Sequence, residues 1–213
     1  MLTCILDSQS AEFRFDNGDV SSVVKTSAFW LSESPIINPT TSNRVILQPG
    51  FSSSLTRLWG KYWTYPNLDI GINVTHNLAV TGKIFGFSTG KESPQIIGAG
   101  FQYYFGGADT LDWSTSIQRV DLKGLNHFRL TTLTLDIRKW ISWKFVDIRL
   151  GIGSNFFKEV SYFGYHNAPA AMEGQINFIG VLGVSLLFPS IFQIDLAFGT
   201  SIFLFVVAQP VST

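Results

Sequence analysis

Alternation between apolar and polar side chains, repeated along most of the chain, is the feature that most restricts its fold. In residues 68–75, every second residue is Leu, Ile or Val, and the residues between them are Asp, Gly, Asn and Thr. The same period of two recurs at 78–84, 95–105, 112–118, 132–138, 146–151 and 192–199. Successive side chains of a β-strand point to opposite faces, so a period of two is typical of strands. The pattern predicts an all-β, antiparallel fold.

Composition indicates which face of these strands points outward. Charged residues make up only 14% of the chain, whereas apolar residues make up 46%, and soluble domains usually carry about 25% charged residues. The polar faces consist largely of Gly, Ala, Ser and Thr, which would form a poor water-facing surface but fit the narrow inside of a small closed sheet. We therefore expect an up-and-down transmembrane β-barrel of about 8 to 10 strands, apolar outside and polar inside.

Two other folds are compatible with parts of the pattern. A soluble, lipocalin-like barrel that binds a small apolar ligand would show the same alternation with its two faces exchanged. A helical hairpin in the membrane could use residues 176–192 and 196–208, which are nearly uncharged. The first of these segments is interrupted by glycines and Pro189, and the second is shorter than the roughly 20 residues that a spanning helix needs.

The chain divides into three parts by composition. Residues 1–43 are rich in Ser, Thr and Asn, and we interpret them as a loosely ordered arm with room for a short strand; residues 44–208 form the predicted barrel and 209–213 a tail. The opening residues show neither a basic region nor an apolar run, so no signal peptide is visible in this chain. With Cys4 as the single cysteine, an internal disulfide and a cysteine-built zinc site are excluded.

Charged residues on the polar faces are predicted to pair inside the barrel. If Trp140 lies opposite Phe145 across a four-residue loop, Arg138 falls opposite Asp147 and Asp136 opposite Arg149, giving two cross-strand ion pairs. In an earlier hairpin, Asp69 and Lys83 can lie opposite or diagonal to each other. The predicted interior ion pairs are thus formed by Asp69, Lys83, Asp136, Arg138, Asp147 and Arg149. An ion-selective lumen is the functional alternative for the same charges.

Aromatic residues gather toward the ends of the alternating segments, for example at 59–65, 103–105 and 140–145. Spanning barrels concentrate aromatic rings in this way at both membrane interfaces, as aromatic girdles. Runs such as NLDIGINVTHNLAVTGKIFGF and QIIGAGFQYYFGGADTLDWSTSIQRV, within residues 50–198, resemble those of small bacterial outer-membrane β-barrel proteins.

This resemblance is to a superfamily and implies an up-and-down barrel in the bacterial outer membrane, with short periplasmic turns and longer external loops. Two features depart from it. The chain continues past Phe205 instead of ending on an aromatic residue, and a single last strand over 191–207 would finish on the wrong side. An additional strand at 44–58, another in the N-terminal arm, or a truncated C-terminus would each resolve the count.

The sequence contains no recognisable catalytic or nucleotide motif. His76, His127 and His166 lack metal-ligand spacing, so we expect no metal and no cofactor. Fifteen basic residues balance fifteen acidic ones, which leaves no positive excess for nucleic acid. The predicted loop at 155–171 is the leading candidate for ligand binding, through Phe157, Tyr162, Tyr165 and His166.

These observations favour a non-enzymatic outer-membrane barrel of structural, binding or passive-transport, porin-like type, with the lipid bilayer as its partner. The alternatives are the soluble apolar-ligand carrier and a lipid enzyme acting at the barrel rim through Ser, His and an acidic residue.

Overall fold

The computed structural model describes most of the chain, and the account below concerns those residues alone. They are residues 8–10, 13, 20–35, 37–38, 43–57, 61–88, 92–107, 110–143, 146–162, 171–186, 192–198 and 202–208. The elements in chain order are β1 (Ser8–Ser10), α1 (Val20–Leu31), β2 (Val45–Ser54), β3 (Tyr62–Thr75), β4 (Leu78–Gly86), β5 (Gln95–Gly107), β6 (Thr110–Lys123), β7 (Phe128–Trp143), β8 (Val146–Ser161), β9 (Ala171–Leu186), β10 (Phe192–Phe198) and β11 (Ile202–Ala208).

Strands β2 to β11 form one curled antiparallel sheet in which each strand pairs with its neighbour in sequence. Strand β11 also pairs with β2, so the pairing continues from the last strand back to the first. Every strand of this ten-stranded ring therefore has a partner on both sides, which removes the exposed edges of an open sheet. The short strand β1 adds in parallel to the beginning of β3. The predicted antiparallel β fold is confirmed.

The connections between strands have two to five residues at one end of the barrel and three to nine at the other. Residues 76–77, 108–109 and 144–145 connect strands at one end, which we call the short-turn end, together with 187–191. The connections at 55–61, 87–94, 124–127, 162–170 and 199–201 belong to the opposite, long-loop end. Strand β2 begins and strand β11 finishes at the short-turn end, because β11 runs antiparallel to β2.

The last part of the chain forms two strands, and the prediction of a single strand over 191–207 was wrong. Strands β10 and β11 pair with each other as a hairpin, and the chain between them reads Gly-Thr-Ser at 199–201, residues that favour turns. With β2 lying inside the predicted extra segment 44–58, the ring has an even number of strands. The final strand thus ends at the short-turn end.

The N-terminal part contains a well-defined helix, contrary to the expected loose arm. Helix α1 buries Val20, Val23, Val24, Ala28 and Leu31, which recur with helical spacing. Its Val, Ser and Thr residues have modest helix propensity and suggested a strand. Nine of the twelve side chains of α1 are buried and Lys25 is exposed, so most of the helix surface lies within the protein core.

The two faces of the ring have the predicted orientation. Large apolar side chains point outward and are exposed, including Val45, Ile72, Ile97, Phe101, Leu135 and Ile152. Their neighbours in sequence point inward and are polar and buried, including Gln48, Gln102, Gln118, Thr134, Asp136 and Asn155. On β7, Leu135 is 43% exposed whereas the adjacent Asp136 is 8% exposed. A lipocalin-like barrel would require the reverse arrangement.

Candidate functional site

The inside of the barrel holds the chain's own N-terminal residues, which we call the inner segment (residues 20–35 and 37–38). Side chains from strands around the ring bind its backbone: Asn155 of β8 donates to the Ala28 carbonyl at 2.8 Å, and the Tyr104 hydroxyl of β5 donates to the Ile37 carbonyl at 3.3 Å. Gln118 of β6 donates to the carbonyls of Leu31 and Glu33. Since these strands lie at different positions around the ring, the inner segment is enclosed by it.

An aromatic and aliphatic cluster anchors the inner segment toward the long-loop end. The Trp30 ring stacks on Tyr65 with centroids 4.5 Å apart, and Phe13 lies within 6.5 Å of Trp30, Tyr65 and Phe128. The remaining members come from α1 and the inward positions of the wall, including Val24, Phe29, Ile96, Val120, Leu122 and Leu130. The helix therefore fills this end of the barrel with apolar side chains. The polar contacts with the wall lie nearer the middle of the barrel.

Polar residues of the inner segment meet the charged residues of the wall just beyond the helix. The Glu33 carboxylate lies 3.9 Å from the Lys83 ammonium group and accepts hydrogen bonds from Ser52 and Asn67. Asn67 also accepts the indole N–H of Trp30 at 2.9 Å. This arrangement ties the end of helix α1 to β2, β3 and β4.

Two further residues of the inner segment bind wall carboxylates. Ser34 donates to Asp136 at 2.7 Å and accepts from Ser116 at 3.0 Å. Asn38 donates to Asp147 at 3.2 Å. Glu33, Ser34 and Asn38 thus each contact one of the charged groups for which the sequence predicted pairing among the strands themselves.

Asp69 and Lys83 lie directly opposite each other on β3 and β4. Their charged groups are 2.9 Å apart, and both side chains are almost fully buried. A buried carboxylate requires a compensating charge, because removal from water strongly disfavours the ionised form. The Asp69–Lys83 pair supplies that compensation within the wall, and Glu33 joins it from the inner segment.

The predicted register of the β7–β8 hairpin was wrong. Arg138 lies opposite Gly151, and Asp136 lies opposite Gly153, so neither faces the expected partner. Only residues 144–145 separate the two strands, in place of a four-residue loop. The glycines explain this register: a Cβ atom on Gly151 would come within 2.7 Å of the Arg138 side chain, and one on Gly153 within 2.8 Å of Asp136. Only Gly leaves room there for the large inward side chains.

The four charged residues of this hairpin make other contacts. Arg138 pairs with Asp136 two residues earlier on the same strand, at 3.0 Å. Arg149 is fully buried and places its guanidinium 5.2 Å from the centre of the Trp140 ring, a cation–π arrangement. Asp147 faces Asn38 of the inner segment. All four side chains are buried, but Arg138 does not lie opposite Asp147, nor Asp136 opposite Arg149.

The predicted binding loop is shorter than expected, because β8 continues to Ser161. Phe157 lies on this strand, points inward and belongs to the apolar cluster. Tyr162 follows the strand directly and is 50% exposed. Tyr165 and His166 lie outside the described residues, and of the other two, Phe157 is buried inside the ring whereas Tyr162 is exposed.

Aromatic side chains form a row on the outer surface near the short-turn end. Tyr103, Phe105 and Trp113 stack in sequence with centroids 6.2 Å apart. The Lys139 ammonium group lies 4.8 Å from the centre of the Trp113 ring and also pairs with Asp112. The outer surface at this end therefore carries stacked aromatic rings beside a paired charge.

The inner segment, which contacts β2, β5 and β8 from inside the ring, was not predicted from the sequence. The available signal was the spacing of Val20, Val23, Val24, Ala28 and Leu31, which repeats every three to four residues. Within the described ranges, no group of His, Cys, Asp and Glu is arranged to hold a metal ion. The same residues include no helix that is long and apolar enough to span a membrane.

The chain matches no protein-family profile, no curated protein and no solved structure.

Proposed function

We propose that this protein spans a bacterial outer membrane as a β-barrel and serves a structural or binding role, with its lumen closed at rest by the inner segment. The observation that carries the proposal is the sidedness of the strands. Exposed Leu, Ile, Val and Phe cover the outside of the ring, and buried polar residues line the inside. An exposed apolar surface that extends around a protein needs a partner, and a lipid bilayer is the partner that matches a continuous band.

The height of the apolar band supports this proposal. On β8, outward positions from Ile148 to Phe156 carry Ile, Leu, Ile, Ser and Phe, and the next outward residue is Lys158. That distance is roughly 26 Å along a strand at about 3.3 Å per residue, or roughly 20 Å along the bilayer normal at a tilt of about 40°. Spanning barrels carry an outward apolar band of about 25 Å.

The direction of the strands also fits an outer-membrane barrel. Barrels of this kind have an even number of strands, with short turns on the periplasmic side and longer loops outside. Here the ring has ten strands, and its first strand begins where its last strand ends, at the short-turn end. We place that end in the periplasm and the long-loop end outside the cell.

The occupied lumen favours a structural or binding role over passive transport. An open pore needs a continuous aqueous path, whereas helix α1 fills the long-loop half of the interior with Val, Phe, Trp and Leu side chains. Beyond the helix, residues 33–38 contact the wall through Glu33, Ser34 and Asn38. The proposed resting state therefore passes no steady current of ions.

Reconstitution of the full chain tests both parts of the proposal. In phosphatidylcholine vesicles the protein should fold to a protease-resistant form with β-sheet circular dichroism, and it should aggregate after denaturant is diluted into plain buffer. In planar bilayers the folded protein should show no steady conductance. Stable monomers in plain buffer would contradict the membrane assignment, and a steady wild-type conductance would contradict the closed lumen.

A further inference from the structure

Four basic side chains form a patch on the outer surface at the long-loop end. This basic patch consists of Arg119 and Lys123 of β6, Arg129 of β7 and Lys158 of β8, all of them exposed. Adjacent strands bring them together, since Asp121 lies opposite Thr131, and Thr131 lies opposite Lys158. The patch follows the apolar band directly in the direction of the long loops.

Two carboxylates lie within the patch and neutralise part of its charge. Asp121 is 3.7 Å from Arg119 and accepts a hydrogen bond from Thr131. Glu173 pairs with Lys158 in a position where both side chains are about 60% exposed. Four cations against two anions leave a positive excess, although the whole chain has a net charge of zero. Exposed pairs of this kind are weak, so the cations stay accessible to another anion.

An apolar groove lies on the outer surface immediately below the patch. It has a volume of about 460 Å³ and is lined by Leu135, Asp136, Ile137, Ile152, Gly153, Ser154 and Gln175, and the side chain of Asp136 is buried on the inner side of the ring. Leu135, which lines the groove, is two residues along β7 from Leu133, and Leu133 lies opposite Arg119. Two residues along a strand correspond to about 7 Å, so Arg119 stands just above the groove. Gln175 donates to Ser154 across the groove's upper side at 3.0 Å.

We infer that the basic patch and the groove together bind an anionic lipid of the outer leaflet. The groove accommodates part of an acyl chain, and Arg119, Arg129 and Lys158 bind the phosphate-bearing headgroup above it. Guanidinium groups suit this role because they offer several hydrogen-bond donors to phosphate oxygens. The inference rests on the proposed membrane insertion. A bilayer lipid matches this surface because its charged headgroup and its apolar chain are adjacent, just as the cations of the patch are adjacent to the apolar groove.

Lipid selectivity measured by electron paramagnetic resonance tests this inference. The full chain is reconstituted in phosphatidylcholine vesicles with a trace of spin-labelled phosphatidylglycerol or spin-labelled phosphatidylcholine, and the motionally restricted fraction of each label is determined. The wild type should restrict phosphatidylglycerol several-fold more strongly than phosphatidylcholine. The double variant Arg119→Ala/Arg129→Ala should lose most of this preference, since each basic residue near the surface changes anion binding by roughly five-fold.

Lys139→Ala is the matched control, because Lys139 is also an outward basic residue but lies at the opposite end and is paired with Asp112. It should keep the wild-type selectivity. Equal restriction of both lipids by the wild type, or the same loss in Lys139→Ala, would overturn the lipid site while leaving the bilayer assignment intact. Absence of a restricted component for either lipid would instead contradict membrane insertion itself.

Discussion

Lys83→Met should destabilise the folded barrel by about 3–5 kcal/mol, the usual consequence of removing one member of a buried ion pair. Lys83 is 2.9 Å from Asp69 and 3.9 Å from Glu33, and all three side chains are almost completely buried. Methionine keeps the length of the side chain but removes the charge, which leaves two carboxylates without their nearest cation. Reversible urea unfolding in vesicles, followed by tryptophan fluorescence, measures the change in free energy of unfolding.

The double variant Asp69→Asn/Lys83→Met provides the control for this prediction. It removes both charges of the pair, so position 69 no longer carries an uncompensated buried charge when Lys83 is replaced. The double variant should therefore recover the part of the stability loss that comes from Asp69, whereas Glu33 keeps its charge without its nearest cation. If the two variants lose the same amount, the effect comes from packing around Lys83, and the stranded-charge explanation is wrong.

Leu135→Arg should destabilise the protein in bilayers by about 2–4 kcal/mol, the cost of arginine at the bilayer midplane on the lipid side of a barrel. Leu135 points outward from the middle of β7 and lines the apolar groove. The arginine would have to pull lipid headgroups or water toward the midplane. The free energy of unfolding of the Leu135→Arg variant is measured in the same vesicles.

Thr131→Arg is the matched control for Leu135→Arg. Thr131 lies on the same face of the same strand, four residues closer to the long loops, where it adjoins Asp121 and Lys158. Arginine near the interface costs only about 0–1 kcal/mol. Equal losses at the two positions would argue against a hydrocarbon environment at Leu135, since the cost should depend on depth.

The strand pattern and its sidedness could be predicted from the sequence because both follow from local alternation. Residues 68–75 show this clearly: the period of two fixes the strand, and the small and polar residues between the apolar ones fix the inner face. Turn position is less well specified, since Gly199 within an apolar stretch was insufficient to indicate a hairpin between β10 and β11.

The contents of the lumen could not be predicted by the same reasoning. Helix α1 is rich in Val, Ser and Thr, which are poor helix formers on their own, and its burial by the ring decides its structure. The β7–β8 register shows a related limit. Charge pairing favoured one alignment, but the steric need to place Gly151 and Gly153 opposite Arg138 and Asp136 selected another.

Because the inner segment contacts them, the buried charges of the wall do more than neutralise one another. From sequence they were expected to satisfy one another among the strands, whereas Lys83, Asp136 and Asp147 also bind Glu33, Ser34 and Asn38. The wall charges therefore position the N-terminal residues within the barrel. The barrel is therefore not an empty polar cylinder, since its charged residues contact the inner segment.

Collision accessibility of spin labels distinguishes hydrocarbon from water at the outer face of the strands. A nitroxide is attached at Ile152→Cys, which is outward and 60% exposed, or at Lys123→Cys near the long loops, each in a Cys4→Ser background in vesicles. At position 152 the label should collide frequently with oxygen, which concentrates in hydrocarbon, and rarely with a water-soluble nickel complex; at position 123 the order should be reversed. Frequent collisions with the nickel complex at position 152 would show that the apolar face meets water and would contradict the account.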